Sequence, residues 1–240
     1  MNITIIGQGK LGSSISELLQ NSKTPHQLLG KQKQYHCSGL VYICVPESQI
    51  KVVSNKIQGA EIVLHSAGSL DAEVLDPHVR RGVLHPIMSF SNPEISLPSA
   101  PIPSTLSGLK NDPEAEAHVR SFAQKIGFQI YPYQGSRALY HSAAVISGNF
   151  ATILLHAGAS VLESQGMDYQ DALNILQPLA LQSIQNANKG PLTQVLSGPL
   201  ARDEQQTIQK QIEELSSFAP SLADLMTVFQ SVHKDLSSKS

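Results

Sequence analysis

The strongest constraint on this chain lies in its first twenty residues, where Gly7-Gln8-Gly9-Lys10-Leu11-Gly12 joins two patterned segments. Residues 2–6 (NITII) are short and apolar, as a buried strand requires. Residues 10–20 set Leu11, Ile15, Leu18 and Leu19 at helical spacing. A GxGxxG spacing alone is weak, but between a strand and an amphipathic helix it predicts a particular turn. Gly7 permits the tight turn. Gly9 lets the backbone approach a pyrophosphate without a Cβ in the way. Gly12 lets the helix close onto the sheet. The helix N-terminus adds free N–H groups and the positive end of a dipole. Gly7, Gln8, Gly9, Lys10, Leu11 and Gly12 are therefore the expected cradle of a dinucleotide phosphate.

Beyond this first helix the chain goes on alternating strands and helices. Strands are expected at 27–30, 40–45 (LVYICV), 61–65 (EIVLH) and 82–85 (GVLH), with a helix at 48–57. A sixth strand at 101–107, a helix at 112–126 and a last strand at 128–131 complete it. Asp112 suits the N-cap and Pro113 the first helical position. The Pro- and Ser-rich stretch 89–103 is expected to be irregular. Alternating strands and helices imply an α/β domain with a doubly wound parallel sheet of Rossmann type. After Gln134 the rhythm stops and the pattern is helical. Asp168 is an expected N-cap, Pro178 an expected kink, Asp203 with Gln206 an expected capping box, and Pro220 the start of the last helix. The expected boundary lies near residue 135, with a nucleotide-binding domain at 1–135 and an all-α domain at 136–240.

Composition narrows the partners. The 240 residues are 41% hydrophobic and 15% charged, with a formal net charge of −2. Such a balance argues against nucleic acid or an anionic membrane as principal partner. Cys37 and Cys44 form neither a disulfide framework nor a metal site, so no metal is expected. No basic segment precedes the first apolar run, as a signal peptide would need. A reducing, cytoplasmic setting is expected. Residues 138–162 contain no Asp, Glu, Lys or Arg. His141, Ser142, Ser147, Asn149, His156 and Ser160 make that stretch too polar for lipid. A helix buried on most sides, inside the protein or a dimer, is expected instead.

The nucleotide is read from the end of the second strand. An NAD site places an acidic residue there to hold the ribose hydroxyls. No Asp or Glu occurs between Glu17 and Glu47; the position falls in Gly30-Lys31-Gln32-Lys33. A lysine there attracts a 2′-phosphate, so NADP(H) is expected, with Lys31 as a contact. The other reading makes Lys31 and Lys33 ordinary solvated lysines. Val45 and Pro46 end the third strand on the cofactor side. Ser66 and Gly68 follow the strand 61–65, at the sheet edge where open α/β sheets bind ligands, and are expected to contact the cofactor. His65 and His85 both end strands there, each as a structural histidine or a cleft residue.

These segments, VYICVPESQI, VLHSAGSL and GVLHPIMSF with the glycine motif, resemble the Rossmann-like oxidoreductases of the 6-phosphogluconate dehydrogenase superfamily. YHSAAVISGNFATILL and LSGPLARDE are similar to one branch of it, which pairs a Rossmann domain with a helical domain long catalogued without a function. That branch is often labelled a deazaflavin-dependent NADP oxidoreductase, and some members resemble an alternative class of ketopantoate reductase. The resemblance covers nearly the whole chain. It implies an NADP(H)-dependent enzyme and a homodimer joined through the helical domains.

The helical region supplies the remaining chemistry. His141 and Asn149 lie near one face of a mostly apolar helix, where unpaired polar groups are costly. Ketone reduction needs a proton donor, and His141 is the candidate because imidazole titrates near neutrality. Asn149 would orient the substrate carbonyl or carboxylate, with Ser147 nearby. In archetypal ketopantoate reductases a lysine begins the equivalent helix, with asparagines at helical spacing after it; here His141 takes its place and Val145 replaces one asparagine. His141 and Asn149 also admit purely structural roles. Arg202, after Gly198-Pro199, is either a bidentate carboxylate binder or the partner of Asp203 or Glu204. Arg137 is a weaker carboxylate candidate, and His85 a substrate contact. The expected function is reduction of a small 2-oxo acid, with ketopantoate favoured. The alternatives are an imine or deazaflavin-linked reductase, and a non-catalytic dinucleotide-binding sensor dimer.

Overall fold

The computed structural model describes residues 1–90, 101–109 and 111–238. The expectation of an irregular stretch at 89–103 falls largely outside them. The chain divides into two compact units, Met1–Gly148 and Asn149–Ser240.

The first unit is built on β1 (Ile3–Ile6), α1 (Lys10–Asn21), β2 (Gln27–Leu29), β3 (Tyr35–His36), β4 (Leu40–Ile43), α2 (Glu47–Ser54), β5 (Ile57–Gln58) and β6 (Ile62–His65). A short 3-10 turn, Ala72–Leu75, leads to β7 (Arg81–Pro86), β8 (Ile102–Ser107), α3 (Pro113–Lys125), β9 (Phe128–Pro132) and α4 (Arg137–Ala144). Seven strands form one sheet in the order β2-β1-β4-β6-β7-β8-β9. The first five are parallel, as the alternation requires. β8 is antiparallel to β7, with Thr105 opposite His85, and β9 runs parallel to β8. β3 and β5 pair separately as a two-stranded ribbon that periodicity did not reveal, each strand being two residues long.

Strand alternation sorts the apolar residues onto two faces. Ile5, Leu40, Tyr42, Ile62 and Leu64 pack with Ile15 and Leu19 of α1 and Val119 and Phe122 of α3. Ile6, Val41, Ile43 and Val63 pack on the other face with Ile50 and Val53 of α2 and with Leu75. Each such buried aliphatic side chain contributes about 1.5–3 kcal/mol. Cys44 belongs to the first core, and burial pushes its thiol up, out of the reactive range. Asp112 caps α3 by accepting from Ala115 N, with Pro113 in the first turn.

A π turn, Val145–Phe150, continues α4 into α5 (Ala151–Ser164). The second unit adds α6 (Tyr169–Ala187), α7 (Leu192–Val195), α8 (Gln205–Phe218) and α9 (Pro220–Ser237). Asp168 caps α6 by accepting from the Gln170 and Asp171 N–H groups. α6 and α5 approach closely where Gly158 faces Leu176, with Ala159 and Ala172 buried. The expected capping box at Asp203 does not form. Asp203 adopts a left-handed φ of 53°, its carboxylate accepts from the Gln205 side chain, and α8 starts two residues later without a side-chain cap.

The run Arg137–Ser164 is 28 residues long, and by length and composition alone it suffices to cross a membrane. Only 6% of its most apolar window is buried within the chain, so the expected burial on most sides does not occur inside a single copy.

Candidate functional site

The turn between β1 and α1 has the geometry its glycines require. Gly7 has φ +121°, in the left-handed region, and a Cβ on it would strike the Cys44 carbonyl and come within 3.1 Å of Val45 Cγ1. A Cβ on Gly12 would run into the carbonyl of Gly7. These two glycines hold α1 against the ends of β1 and β4. Gly9 differs: a Cβ there would meet nothing within 4 Å. Gly9 is the N-cap of α1, no side chain caps the helix, and its first turn has no acidic residue. Open space facing uncapped N–H groups fits a diphosphate.

The rim of this crook is made by the residues the sequence placed there. Gln8 reaches over Gly30, whose absent Cβ leaves room 2.6 Å from Gln8 Oε1. Tyr35 Oη donates to the Gly30 carbonyl and accepts from Gln32 N, which fixes the turn that carries Lys31. Lys10, Lys31 and Lys33 are exposed. Val45 is half-buried, Pro46 is the N-cap of α2, and Ser66 Oγ donates to the Ile43 carbonyl at 3.2 Å.

A second constellation gathers beyond the end of β6. A Cβ on Gly68 would lie 2.9 Å from His85 Nε2 and 3.0 Å from His141 Nδ1. Two imidazoles, one from β7 and one from α4, thus converge on a notch that only glycine leaves open. His141 Nδ1 is buried and has no hydrogen-bond partner among the described residues. His85 Nδ1 lies 2.8 Å from Tyr140 Oη. Burial, followed by the charge of Arg137 and then His141, holds the half-buried His85 down at about 4, so its ring is neutral near pH 7.

Arg137 anchors this cluster. It is 2% exposed, and Nη1 donates to Thr105 Oγ1 at 3.1 Å. Its guanidinium carbon sits 4.3 Å from the centroid of the Tyr140 ring. Among the described residues Nε has no hydrogen-bond partner, and none of the described ion pairs includes Arg137. Burial pushes the Tyr140 phenol up, while hydrogen bonding to Thr105 and the neighbouring guanidinium pull it back. The sequence reading missed Tyr140 and Thr105: His85 and Tyr140 are 55 positions apart, so no local spacing links them.

The remaining candidates lie elsewhere. Ser147 and Asn149 both fall in the π turn, with exposed side chains. Such wide turns are frequent at functional sites. Asn149 opens the second unit, which also holds Arg202. Arg202 Nε pairs with Glu204 at 2.6 Å on the surface, so a carboxylate must displace Glu204 to reach it.

His65 is structural. It is fully buried, accepts from Ala67 N at Nδ1, and lies 3.2 Å at Nε2 from the Asp71 carbonyl, to which it donates. Burial lowers it from 6.5 to about 4. Between those values the unfolded chain binds a proton that the folded chain does not. Stability is therefore full above 6.5 and falls as the pH drops through the window. By pH 4.5 His65 is expected to cost roughly 2 to 3 kcal/mol. Urea unfolding at pH 7.5 and 4.5 checks this, because His65→Gln should show a correspondingly smaller acid loss than wild type.

A family described as a domain of unknown function (DUF2520) matches residues 105–233. No curated protein matches the chain. Among solved structures, a protein from Bacteroides fragilis described as an NADP oxidoreductase is similar at TM-score 0.78 and 18% identity, over 97% of this chain and 98% of its own. Protein TM1727 from Thermotoga maritima is similar at TM-score 0.73 and 21% identity, over 97% and 98%. A reductive aminase from Aspergillus terreus, in complex with NADPH and ethyl levulinate, is similar at TM-score 0.65 and 14% identity, over 98% and 94%. At these identities the likeness establishes the fold.

Proposed function

The chain belongs to the family described as a domain of unknown function, DUF2520, and we propose that it is an NADP(H)-dependent oxidoreductase that reduces a small 2-oxo acid, with ketopantoate as the favoured substrate. The observation that carries this reading is the crook at Gly9, open to solvent and facing an uncapped helix N-terminus. When bound, the nicotinamide supplies the hydride. Gly7 and Gly12 set the backbone, the first-turn N–H groups of α1 hold the diphosphate, and Lys31 with Lys33 attracts the 2′-phosphate. His85 and His141 receive the substrate oxygen over Gly68, where either imidazole, His141 as expected from sequence or His85, can face it with a proton. The bound NADPH of the structurally similar reductive aminase supports the choice of cofactor.

The same neighbour supports a second reading, reduction of an imine on this scaffold. Calorimetry with NADPH and NADH, then turnover on ketopantoate and on pyrroline-5-carboxylate, separates the readings. Binding of NADPH at least about tenfold tighter than NADH, with oxidation by ketopantoate, is expected. Turnover on the imine alone favours the second reading. Cofactor binding without turnover favours a sensor, and binding of neither nucleotide overturns the proposal.

The proposal includes a homodimer and a cytoplasmic location. Arg137–Ser164 and α6 leave apolar side chains uncovered, among them Ile153 at 59% and Leu179 at 64% exposure. A soluble chain rarely leaves so apolar a face open to water. Sedimentation should show a dimer, and Ile153→Asp should shift it to monomer by placing a charge in the covered face. A monomeric wild type would refute the dimer.

A further inference from the structure

The reductase reading leaves open how a proton reaches the substrate oxygen, because His85 is neutral and a neutral imidazole is a very weak acid. It gives up its Nε2 proton readily only when Nδ1 gains one in the same event. The structure supplies a donor for Nδ1. Tyr140 Oη lies 2.8 Å from it, and the His85 and Tyr140 rings meet edge-on with centroids 5.4 Å apart. Behind Tyr140 stands Arg137, buried, stacked on the phenol ring and without a carboxylate partner among the described residues. A buried cation with no ion pair among the described residues is costly, and here it stacks on the ring whose oxygen gains negative charge if Tyr140 gives up its proton.

We propose that Arg137, Tyr140 and His85 form a proton relay that ends in the notch over Gly68, with His85 as the catalytic residue and Tyr140 and Arg137 as positioning residues acting through it. The inference rests on the reductase reading. Hydrogen bonding from Thr105 and Arg137 favours the negative form of the Tyr140 oxygen, which assigns its own O–H to His85 Nδ1, 2.8 Å away. The Nε2–H of His85 then points into the notch. When the substrate carbon accepts a hydride, which bound NADPH would supply, the carbonyl π bond becomes an oxygen lone pair. That oxygen forms an O–H bond with the Nε2 proton. The Tyr140 O–H bond breaks and an N–H bond forms at Nδ1. Phenolate is left beside the Arg137 guanidinium. Departure of the hydroxy acid opens Nε2 to solvent, which returns one proton there, and Nδ1 passes its proton back to the Tyr140 oxygen. The net change is one hydride and one solvent proton added to the carbonyl. The charged or titratable groups around His85 are Arg137, His141, His65, Glu47 and Tyr140.

Two measurements test the relay. Long-range ¹H–¹⁵N correlation spectra of the free protein at pH 7 read the His85 tautomer without any substrate. The neutral Nε2–H form is expected in wild type and a mixture in Tyr140→Phe; an Nδ1–H form or an imidazolium in wild type overturns the relay. Tyr140→Phe removes one oxygen and leaves the crook untouched. It should keep NADPH affinity and KM and lose about 100-fold in kcat on ketopantoate. Its proton inventory in mixed H₂O and D₂O should become linear, where the wild type is curved because two protons move together. A variant with wild-type kcat, or a linear wild-type inventory, overturns the relay. No turnover on ketopantoate or pyrroline-5-carboxylate, with the expected tautomer present, overturns the reductase reading and the relay's function with it.

Discussion

Gly9→Asp should weaken NADPH binding by at least about 100-fold while leaving the melting temperature unchanged or up to about 1 °C higher. The two halves of this result come from one position. Gly9 has φ −75° and ψ −178°, an extended conformation open to any residue, and a Cβ there meets no atom within 4 Å. Nothing in the folded chain resists the side chain. Aspartate is moreover a preferred N-cap, and its carboxylate would accept from the first-turn N–H groups of α1, adding about a few tenths of a kcal/mol over glycine. Those same groups are the ones a diphosphate needs. Charge-assisted bonds of this kind contribute about 1.5–3 kcal/mol each, and a fixed negative charge repels the phosphates besides. A loss near 3 kcal/mol is a factor above 100. Calorimetric titration with NADPH, next to thermal melting, checks both halves. The contrast is Gly12→Ala, where the added methyl collides with the Gly7 carbonyl and should unseat α1 whether or not cofactor is present. An aspartate variant that still binds NADPH normally would mean that the diphosphate does not lie in this crook.

The sequence made the crook legible because its determinants are local. A strand, three glycines and a helix lie within twenty residues, and each glycine answers to a single steric demand. The parallel core was legible for the same reason, since the buried strands carry continuous apolar runs bounded by Gly or Pro. The antiparallel β8 was hidden because direction is set by the connection from β7, not by the composition of either strand. The ribbon of β3 and β5 was hidden because two-residue strands have no period. The π turn was invisible to a reading that assumes α spacing, so the shared face inferred for His141 and Asn149 rested on a helix the chain does not keep through Val145–Phe150. Arg137 and His85 were each legible as candidates, but the cluster they form through Tyr140 was not. It exists because β8 lies beside β7, which puts Thr105 opposite His85 and lets α4 set its first turn over both.

Gly68→Ala tests the site at its narrowest point, and kcat is expected to fall by about 100- to 1,000-fold with NADPH affinity within about twofold of wild type. Gly68 is buried and its backbone does not require glycine, since its φ is not among the left-handed ones. Alanine therefore folds, and the conflict is confined to the side chain. The new methyl would stand 2.9 Å from His85 Nε2, 3.2 Å from His85 Cε1 and 3.0 Å from His141 Nδ1, closer than a carbon ordinarily approaches. The His85 ring is tied to Tyr140, so it yields only by giving up that bond. The cost in stability should be about 1 kcal/mol, the lower end of overpacking by one methyl group. The cost in rate is larger because the methyl occupies the place of the reacting oxygen, and a misplacement near 1 Å is enough for a 100-fold loss. Steady-state kinetics beside calorimetry separates this from the role first expected of Gly68. A parallel loss of NADPH affinity would make Gly68 a cofactor contact, whereas an intact affinity with a collapsed kcat places the substrate oxygen between the two imidazoles.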